Sequence, residues 1–404
     1  MEYKLSFGFM QDFKARPAEI YNIKERFDHT YIIGKTGMGK SALMERMAEY
    51  DIDKGVAAIY IDPKGESTRK LYELAKDKSK VHYISIQSPM VINPLNKEGY
   101  NLDNLIQEFI EILDRLITLT SSNPESTVLM REIINMAMRS IRHDKDKNLG
   151  YLTKLLLYPD VRKELKYNLP PTSDEYKYWD EFDSKGRSSN KVECAQRVAS
   201  RLLEISNGEM KNFVIGRNEL DITDIVQKGK VLLVDTSRMN RNSRIYLSNL
   251  IVYSVLSYCD FAPKKEKPLM VYVDEFQIVV SESFSDLLAR SRGSQVGFTL
   301  AHQNFLQIPK TTLGAIFGNV GTSICFRCGD EEAKRFAPLF SVKAPEIFNL
   351  PKYQAWVRIG TENTLIETFP PKNPEIPQST TTVQLEIPLP EKSYSFLGDR
   401  WINF

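Results

Sequence analysis

Residues 34–41 have the types and spacing of a loop that wraps a triphosphate. They are Gly34, Lys35, Thr36, Gly37, Met38, Gly39, Lys40 and Ser41, an unbroken Gly-x-x-x-x-Gly-Lys-Ser motif. The glycines let successive backbone N–H groups turn toward phosphate oxygens, and a helix N-terminus adds the positive end of its dipole. Lys40 is expected to reach the β- and γ-phosphates, and Ser41 is expected to ligate Mg²⁺. A glycine-rich turn that binds nothing is the alternative.

A second acidic site lies far downstream, at the end of a predicted strand. Within residues 269–277 an apolar, β-branched run ends in two adjacent carboxylates, Asp274 and Glu275. Asp274 is expected to share the Mg²⁺ with Ser41. Glu275 is expected to point the other way, because side chains alternate at a strand end, and to polarise a water for attack on the γ-phosphate. The pair favours hydrolysis of ATP over phosphate transfer. An exposed acidic turn after a core strand is the alternative, because it would have the same sequence pattern. Residues 96–99 (Asn-Lys-Glu-Gly) do not match the guanine-binding motif Asn-Lys-x-Asp.

Polar and basic residues follow in the next part of the chain. Gln303 comes after a predicted buried strand over 295–301, and its neutral amide can donate to a γ-phosphate and accept from the attacking water. His302 is interpreted as a structural histidine at the strand end. Arg290 and Arg292 close the helix before this strand. Each is a candidate arginine finger, and complementing the helix C-terminal dipole explains them equally well.

The elements that position these side chains are predicted from the apolar pattern. Runs of apolar residues alternate with helical periodicity, which is typical of a parallel sheet. The fold class expected from this pattern is α/β, with a mainly parallel sheet covered by helices on both faces. Together with the loop at residues 34–41 it resembles a RecA-like P-loop ATPase, and helical periodicity over residues 100–215 adds an all-α inserted domain. The predicted strands cover residues 30–33, 56–62, 81–86, 231–235, 270–274, 295–301 and 322–327.

Four segments, in chain order, carry a family resemblance. They are residues 29–41, Tyr60–Glu66 (Tyr-Ile-Asp-Pro-Lys-Gly-Glu), 274–276 and 291–303. Together they resemble the TraG/TraD-type coupling proteins of conjugative type IV secretion, within the HerA/FtsK group of DNA-pumping ATPases. The resemblance spans roughly residues 25 to 340. Its most distinguishing piece is Asp62–Glu66, which many other P-loop families lack.

The resemblance implies roles and partners that the residues alone do not. It makes Glu275 catalytic, Gln303 the sensor of the γ-phosphate, and Arg292 a finger that acts on a neighbouring subunit of a hexameric ring. Arg290 and Arg327 remain alternatives for the finger. DNA is the implied substrate, single- or double-stranded, and relaxase or secretion-channel proteins are the implied partners.

The N-terminus departs from the membrane-bound members of that family. Those proteins resemble one another in having two transmembrane helices before the motor, whereas only about 30 residues precede the loop here. No apolar stretch approaches the roughly 18 to 20 residues that span a bilayer. The longest candidate, residues 245–261, contains polar residues and favours a buried or amphipathic helix. No transmembrane segment and a cytoplasmic location are expected, with membrane contact only through partners.

Composition sets broad limits. The 404 residues are 42% hydrophobic and 26% charged, which fits a globular enzyme of two domains. A net charge of +2 neither requires nor excludes nucleic acid. The four cysteines indicate a reducing compartment. Cys325 and Cys328 lie on a predicted strand, where positions three apart face opposite sides, so a zinc site is not expected.

The chain divides into four predicted parts. Residues 1–99 begin the motor domain, residues 216–370 complete it with a terminal hairpin over 353–369, and residues 371–404 form an extended tail. Residues 100–215 carry helical periodicity and correspond, by the resemblance, to the all-α insertion of coupling proteins. A purely structural helical lid is the alternative for this segment.

Two short basic segments are candidates for DNA contact. Such loops can follow phosphates without reading bases, which suits a motor that is indifferent to sequence. Ordinary solvated loops are an equal alternative. The candidate residues are Arg238, Arg241 and Arg244 after one strand, and Lys185, Arg187 and Lys191 in the helical segment.

These patterns predict a Mg²⁺-dependent, ATP-hydrolysing ring motor that translocates or delivers DNA, as coupling proteins do in conjugation. One alternative is a HerA/FtsK-like translocase for repair or packaging. Another is an ATP-gated adaptor that recruits a protein substrate without processive hydrolysis.

Overall fold

The computed structural model describes most of the chain up to Phe369. The described residues are 3–10, 19–20, 22–95, 102–103, 105–107, 109–110, 113, 128–141, 148–184, 190–261, 267–279, 284–305, 308 and 310–369. The predicted tail over 371–404 and the candidate residues Lys185 and Arg187 therefore lie outside the described residues.

Strands in the described residues form one large sheet and one small one. The strands are β1 (Leu5–Ser6), β2 (Gly8–Met10), β3 (Glu19–Ile20), β4 (Thr30–Ile33), β5 (Ala57–Asp62), β6 (Val81–Ile84), β7 (Val231–Asp235), β8 (Leu269–Asp274), β9 (Val296–His302), β10 (Thr322–Phe326), β11 (Gln354–Ile359) and β12 (Glu362–Thr368).

Helices fill the segments between the strands. They are α1 (Lys40–Asp53), α2 (Glu66–Leu74), α3 (Val128–Ser140), α4 (Leu149–Leu157), α5 (Pro159–Tyr167), α6 (Asp174–Ser184), α7 (Asn190–Ser206), α8 (Lys211–Val214), α9 (Ile222–Lys228), α10 (Arg241–Phe261), α11 (Phe284–Gly293), α12 (Lys310–Asn319), α13 (Asp330–Phe340) and α14 (Ala344–Phe348).

The large sheet has ten strands in the order β2-β12-β11-β10-β4-β9-β8-β5-β7-β6. The run from β10 to β6 is parallel throughout, whereas β11, β12 and β2 are antiparallel to their neighbours. The predicted mainly parallel sheet is therefore confirmed. Each predicted strand is present, with ends that differ by two residues or fewer.

The strands are continuous apolar runs because both faces of the sheet are covered. Every residue of β4, β5, β7, β8, β9 and β10 is buried. Alternate side chains enter two separate hydrophobic cores; Tyr31 and Ile33 belong to one, and Ile32 belongs to the other. Burial of both faces is what distinguishes these strands from the half-polar strands of an open antiparallel sheet.

The helices α3 to α8 lie in the chain between β6 and β7 and pack on one another. Trp179 of α6 is fully buried, and its indole Nε1 donates to Ser140 Oγ of α3 at 2.8 Å. The apolar core of these helices is continuous with the core on one face of the sheet. Helix α10, predicted as a buried or amphipathic helix, buries even Ser248 and Asn249. Within the described ranges, no helix combines the length and apolar character needed to cross a membrane.

The hairpin β11–β12 was predicted and is present. Its turn uses Gly360, whose φ of 57° is readily adopted by glycine. At the base of the hairpin, the Thr368 backbone N–H donates to the Tyr353 carbonyl at 2.7 Å. The hairpin thereby brings Tyr353 next to the loop that follows β4.

Candidate nucleotide-binding site

The loop at residues 34–39 joins β4 to α1 and is held at both sides by backbone hydrogen bonds. The Lys35 N–H donates to the Arg327 carbonyl at 2.8 Å, and the Tyr353 N–H donates to the Met38 carbonyl at 2.9 Å. Gly39 has a φ of 118°, and a Cβ there would lie 2.8 Å from the Tyr353 ring, so backbone conformation and space both require glycine. The loop is therefore fixed between β10 and the hairpin.

Lys40 is buried at the start of α1. Its Nζ donates to the Gly34 carbonyl at 2.6 Å and to the Lys35 carbonyl at 3.1 Å, so the side chain folds back over the loop. Burial lowers the pKa of Lys40 to about 8, against the charges of Asp274 and Glu275, which act to raise it. A partly desolvated ammonium at this position interacts strongly with anionic groups brought beside it.

Ser41 and Asp274 meet at the carboxyl ends of β4 and β8. Ser41 Oγ donates to Asp274 Oδ2 at 2.9 Å, and Asp274 is almost completely buried. Burial raises the pKa of Asp274, opposed by the charge of Lys64 and the hydrogen bond from Ser41. A hydroxyl and a carboxylate oxygen side by side are the hard ligands that Mg²⁺ takes, usually one or two from protein with the rest from phosphates and water. These two residues fit a magnesium site.

Glu275 and Gln303 are in direct contact. Gln303 Nε2 donates to Glu275 Oε1, and Gln303 Oε1 accepts from Thr36 Oγ1 at 2.7 Å. Gln303 thus bridges the loop and the carboxylate. Burial acts to raise the pKa of Glu275, but hydrogen bonds from Gln277 and Lys64 outweigh it and hold the pKa below its usual range.

The backbone of Glu275 differs from the expected strand-end alternation. Strand β8 ends at Asp274, and Glu275 takes a left-handed conformation with φ 51° and ψ 52°. The direction of the Glu275 carboxylate is therefore set by a local turn of the backbone and not by the alternation of side chains along β8. A non-glycine residue in this region is uncommon and is found preferentially at functional sites.

His302 and the cysteine pair lie beside the site and serve packing. His302 is fully buried, and its Nε2 shares a short hydrogen bond with Tyr31 OH, in keeping with the structural interpretation. The expectation that Cys325 and Cys328 face opposite sides is wrong, because β10 ends at Phe326 and the chain turns back. Their sulfurs lie 3.8 Å apart. In the described parts of the chain, no group of three or more metal-binding side chains occurs.

The candidate finger arginines occupy opposite edges of the sheet. Arg292 pairs with Asp28 at 2.7 Å and is 67% exposed, and Arg290 pairs with Asp260 at 2.8 Å. Both precede β9, whose seven residues at about 3.3 Å each place them roughly 20 Å from the loop. Arg327 lies at the carboxyl end of β10, beside the loop of its own chain. Only Arg290 and Arg292 are thus positioned away from their own nucleotide site.

The described basic candidates differ in their surroundings. Arg238 is exposed in the loop after β7, and Arg241 is exposed as the first residue of α10. Arg244 is partly buried and donates to the Met239 carbonyl at 3.3 Å. Lys191 donates to Glu132 at 2.8 Å and lies 4.8 Å above the Tyr178 ring, so its charge is engaged within the helical segment.

Sequence reasoning gave no role to Lys64, which reaches the site from the turn after β5. Its Nζ lies 2.9 Å from Glu275 Oε1. The segment Asp62–Glu66 stood out as a motif. Its proximity to Glu275 follows from the pairing of β5 with β8, which local sequence does not reveal.

The class of protein follows from fold and sequence together. A family profile described as "Helicase HerA, central domain" matches residues 15–255, more than half of the chain, and the chain belongs to this family. The predicted membership in the HerA/FtsK group is confirmed. A comparison with curated proteins gives no match.

Among solved structures, conjugative coupling proteins share the fold. A bacterial conjugative coupling protein, TrwBdeltaN70, aligns with a TM-score of 0.66 at 14% identity, over 91% of this chain and 89% of that one. The plasmid coupling protein TrwB in complex with ADP and Mg²⁺ aligns with a TM-score of 0.64 at 14% identity, over 93% and 97%. VirB4 of Thermoanaerobacter pseudethanolicus also gives 0.64 at 14% identity, over 91% and 96%.

Proposed function

We propose that this protein is a Mg²⁺-dependent ATPase that acts as a motor on DNA, as a coupling protein does in conjugation. The observation that carries the proposal is the convergence of Lys40, Ser41, Asp274, Glu275 and Gln303 at one sheet edge. Membership in the HerA family and the shared fold of TrwB, whose structure contains ADP and Mg²⁺, support it.

Each side chain has a distinct task in hydrolysis. The loop N–H groups and Lys40 would hold the phosphates, and Ser41 and Asp274 would hold Mg²⁺, which supplies charge neutralisation at the phosphates. Glu275 would orient water and accept its proton as the new O–P bond forms and ADP leaves. Gln303 is hydrogen-bonded to Thr36 of the loop and to Glu275. It would therefore link binding of the γ-phosphate at the loop to the position of the Glu275 carboxylate.

We infer that active sites are completed between subunits of a ring. Arg292 is exposed and lies on the edge of the sheet away from its own loop, which suits a side chain that serves a neighbouring subunit. Such fingers contribute about 10³–10⁵-fold to turnover in phosphoryl transfer. The specific ATPase activity should therefore fall steeply as the protein is diluted below the concentration at which it assembles. A specific activity independent of protein concentration, with monomer verified by light scattering, would contradict the inference.

DNA should stimulate ATP hydrolysis, and stimulation should depend on the exposed arginines after β7. The steady-state rate is to be measured without DNA and with single- or double-stranded DNA at low salt, because phosphate contacts weaken as salt rises. The double variant Arg238→Gln/Arg241→Gln should require a several-fold higher DNA concentration for half-maximal stimulation. The matched control is Lys76→Gln/Lys80→Gln, which removes two exposed charges from the segment between α2 and β6. Basal turnover that no DNA form changes would reject the DNA motor and favour the adaptor.

A further inference from the structure

Lys64 forms an ion pair with Glu275, the carboxylate that acts as the base in the proposed mechanism. Its Nζ lies 2.9 Å from Glu275 Oε1, with Lys64 about half exposed and Glu275 mostly buried. The turn that carries Lys64 is hydrogen-bonded to Asp62, whose carboxylate accepts from the N–H groups of Lys64 at 2.8 Å and Ser67 at 2.9 Å. These bonds fix the Lys64 backbone at the carboxyl end of β5, which neighbours β8 in the sheet, and the ion pair places its ammonium beside Glu275.

The contacts of Glu275 leave little room for a water to hydrogen-bond to its Oε1 atom. A carboxylate has about four lone-pair sites. Oε1 accepts from Lys64 and from Gln303, and Oε2 accepts from Gln277 Nε2 at 2.9 Å. Loss of the Lys64 contact would free one site on Oε1, the oxygen that also faces Gln303.

The Lys64 turn is also joined to the loop after β7. The Thr236 N–H donates to the Asp62 carbonyl at 3.2 Å. A Cβ on Gly65 would lie 2.4 Å from Asp235 Oδ1, so the two segments touch closely. Asp235 is itself fixed by Ser237 N–H at 2.9 Å. The exposed Arg238 follows directly, so the loop that carries it is in direct contact with the turn that carries Lys64.

We propose that Lys64 is a positioning residue that restrains Glu275, and that contact of the Arg238 loop with a DNA backbone releases it. The proposal rests on the proposed function, because it assigns the stimulation by DNA to one ion pair. It places the control of hydrolysis at three neighbouring strand ends, those of β7, β5 and β8. The nucleic acid is recognised by its phosphates, since the loop offers arginine and no aromatic side chain.

The variant Lys64→Met tests the restraint. We expect a rise in the DNA-free kcat of about three- to fivefold, the size of effect that a partly exposed ion pair supports. The KM for ATP should be unchanged, and the ratio of DNA-stimulated to basal rate should fall toward one. Lys64→Arg should restore the low basal rate, because the guanidinium keeps the pair. Lys70→Met is the matched control. Lys70 lies on α2 and pairs with Glu45 of α1 at 3.5 Å, away from Glu275.

Other results separate this proposal from the proposed function. A lower or unchanged basal rate in Lys64→Met, with a normal melting temperature, would overturn the restraint. If wild-type protein hydrolyses ATP but does not respond to DNA, the motor function and the release by DNA fail, whereas a faster Lys64→Met would still support the restraint. Absence of turnover in both proteins would overturn both proposals.

Discussion

Glu275→Gln should lower the steady-state rate of ATP hydrolysis by about 10²–10⁴-fold, the contribution typical of a general base. Glutamine keeps the shape of the side chain and an accepting oxygen but cannot take a proton from water. The affinity of the Glu275→Gln protein for nucleotide should stay close to that of the wild type, because Lys40, Ser41 and Asp274 are unchanged. Coupled-assay turnover and binding of a fluorescent nucleotide measure the two quantities.

The matched control for this variant is Glu73→Gln, an exposed glutamate of α2. It loses the same charge and should keep the wild-type rate. A Glu275→Gln protein that binds nucleotide and retains more than a tenth of wild-type turnover would contradict the assignment of Glu275 as the base. Equal losses in both variants would point to a general effect of charge.

Arg26→Met should destabilise the fold by about 3–5 kcal/mol, the cost of leaving a buried charge without its partner. Arg26 lies in a short 3-10 helix before β4 and is almost completely buried. It donates to Asp51 at 3.3 Å, to Tyr3 OH at 2.8 Å and to Tyr272 OH at 3.1 Å. Without Arg26, the Asp51 carboxylate stays buried with only the two phenols as donors. Urea unfolding followed by circular dichroism gives the free energy of unfolding.

Two further variants separate charge from packing. Arg26→Met/Asp51→Leu removes both charges and should recover much of the lost stability, because no ion is left unpaired. Arg197→Met, which breaks the exposed pair with Glu193 at 3.7 Å on α7, should cost less than about 1 kcal/mol. A double variant no more stable than Arg26→Met alone would contradict the uncompensated-charge explanation.

The parts of this structure that could be predicted are those encoded locally. Strands such as β5 and β8 are buried on both faces, so they read as unbroken apolar runs. The phosphate loop is a contiguous motif, and Asp274 ends a strand whose carboxyl end must lie on the same edge as the loop in a parallel sheet. These facts together predict the edge at which the candidate site assembles.

Contacts that depend on strand order could not be predicted in the same way. The pairing of Lys64 with Glu275 requires β5 to neighbour β8, although the two strands are more than 200 residues apart in the chain. The left-handed turn at Glu275 could not be predicted from a local glycine, because a glutamate takes the positive φ there. Likewise, the approach of Cys328 to Cys325 depends on where β10 ends, and periodicity places strand ends only approximately.

The position of β4 in the sheet has a consequence for biosynthesis. β4 carries the phosphate loop, and its two neighbours, β9 and β10, begin at residues 296 and 322. A nascent chain that has reached residue 295 has neither partner, so both backbone edges of Tyr31–Ile33 stay unpaired on the ribosome. Such long-range pairing folds slowly and leaves apolar strands open to aggregation. The strand that carries the phosphate loop therefore cannot complete its native pairing until residues 296–326 have been synthesised.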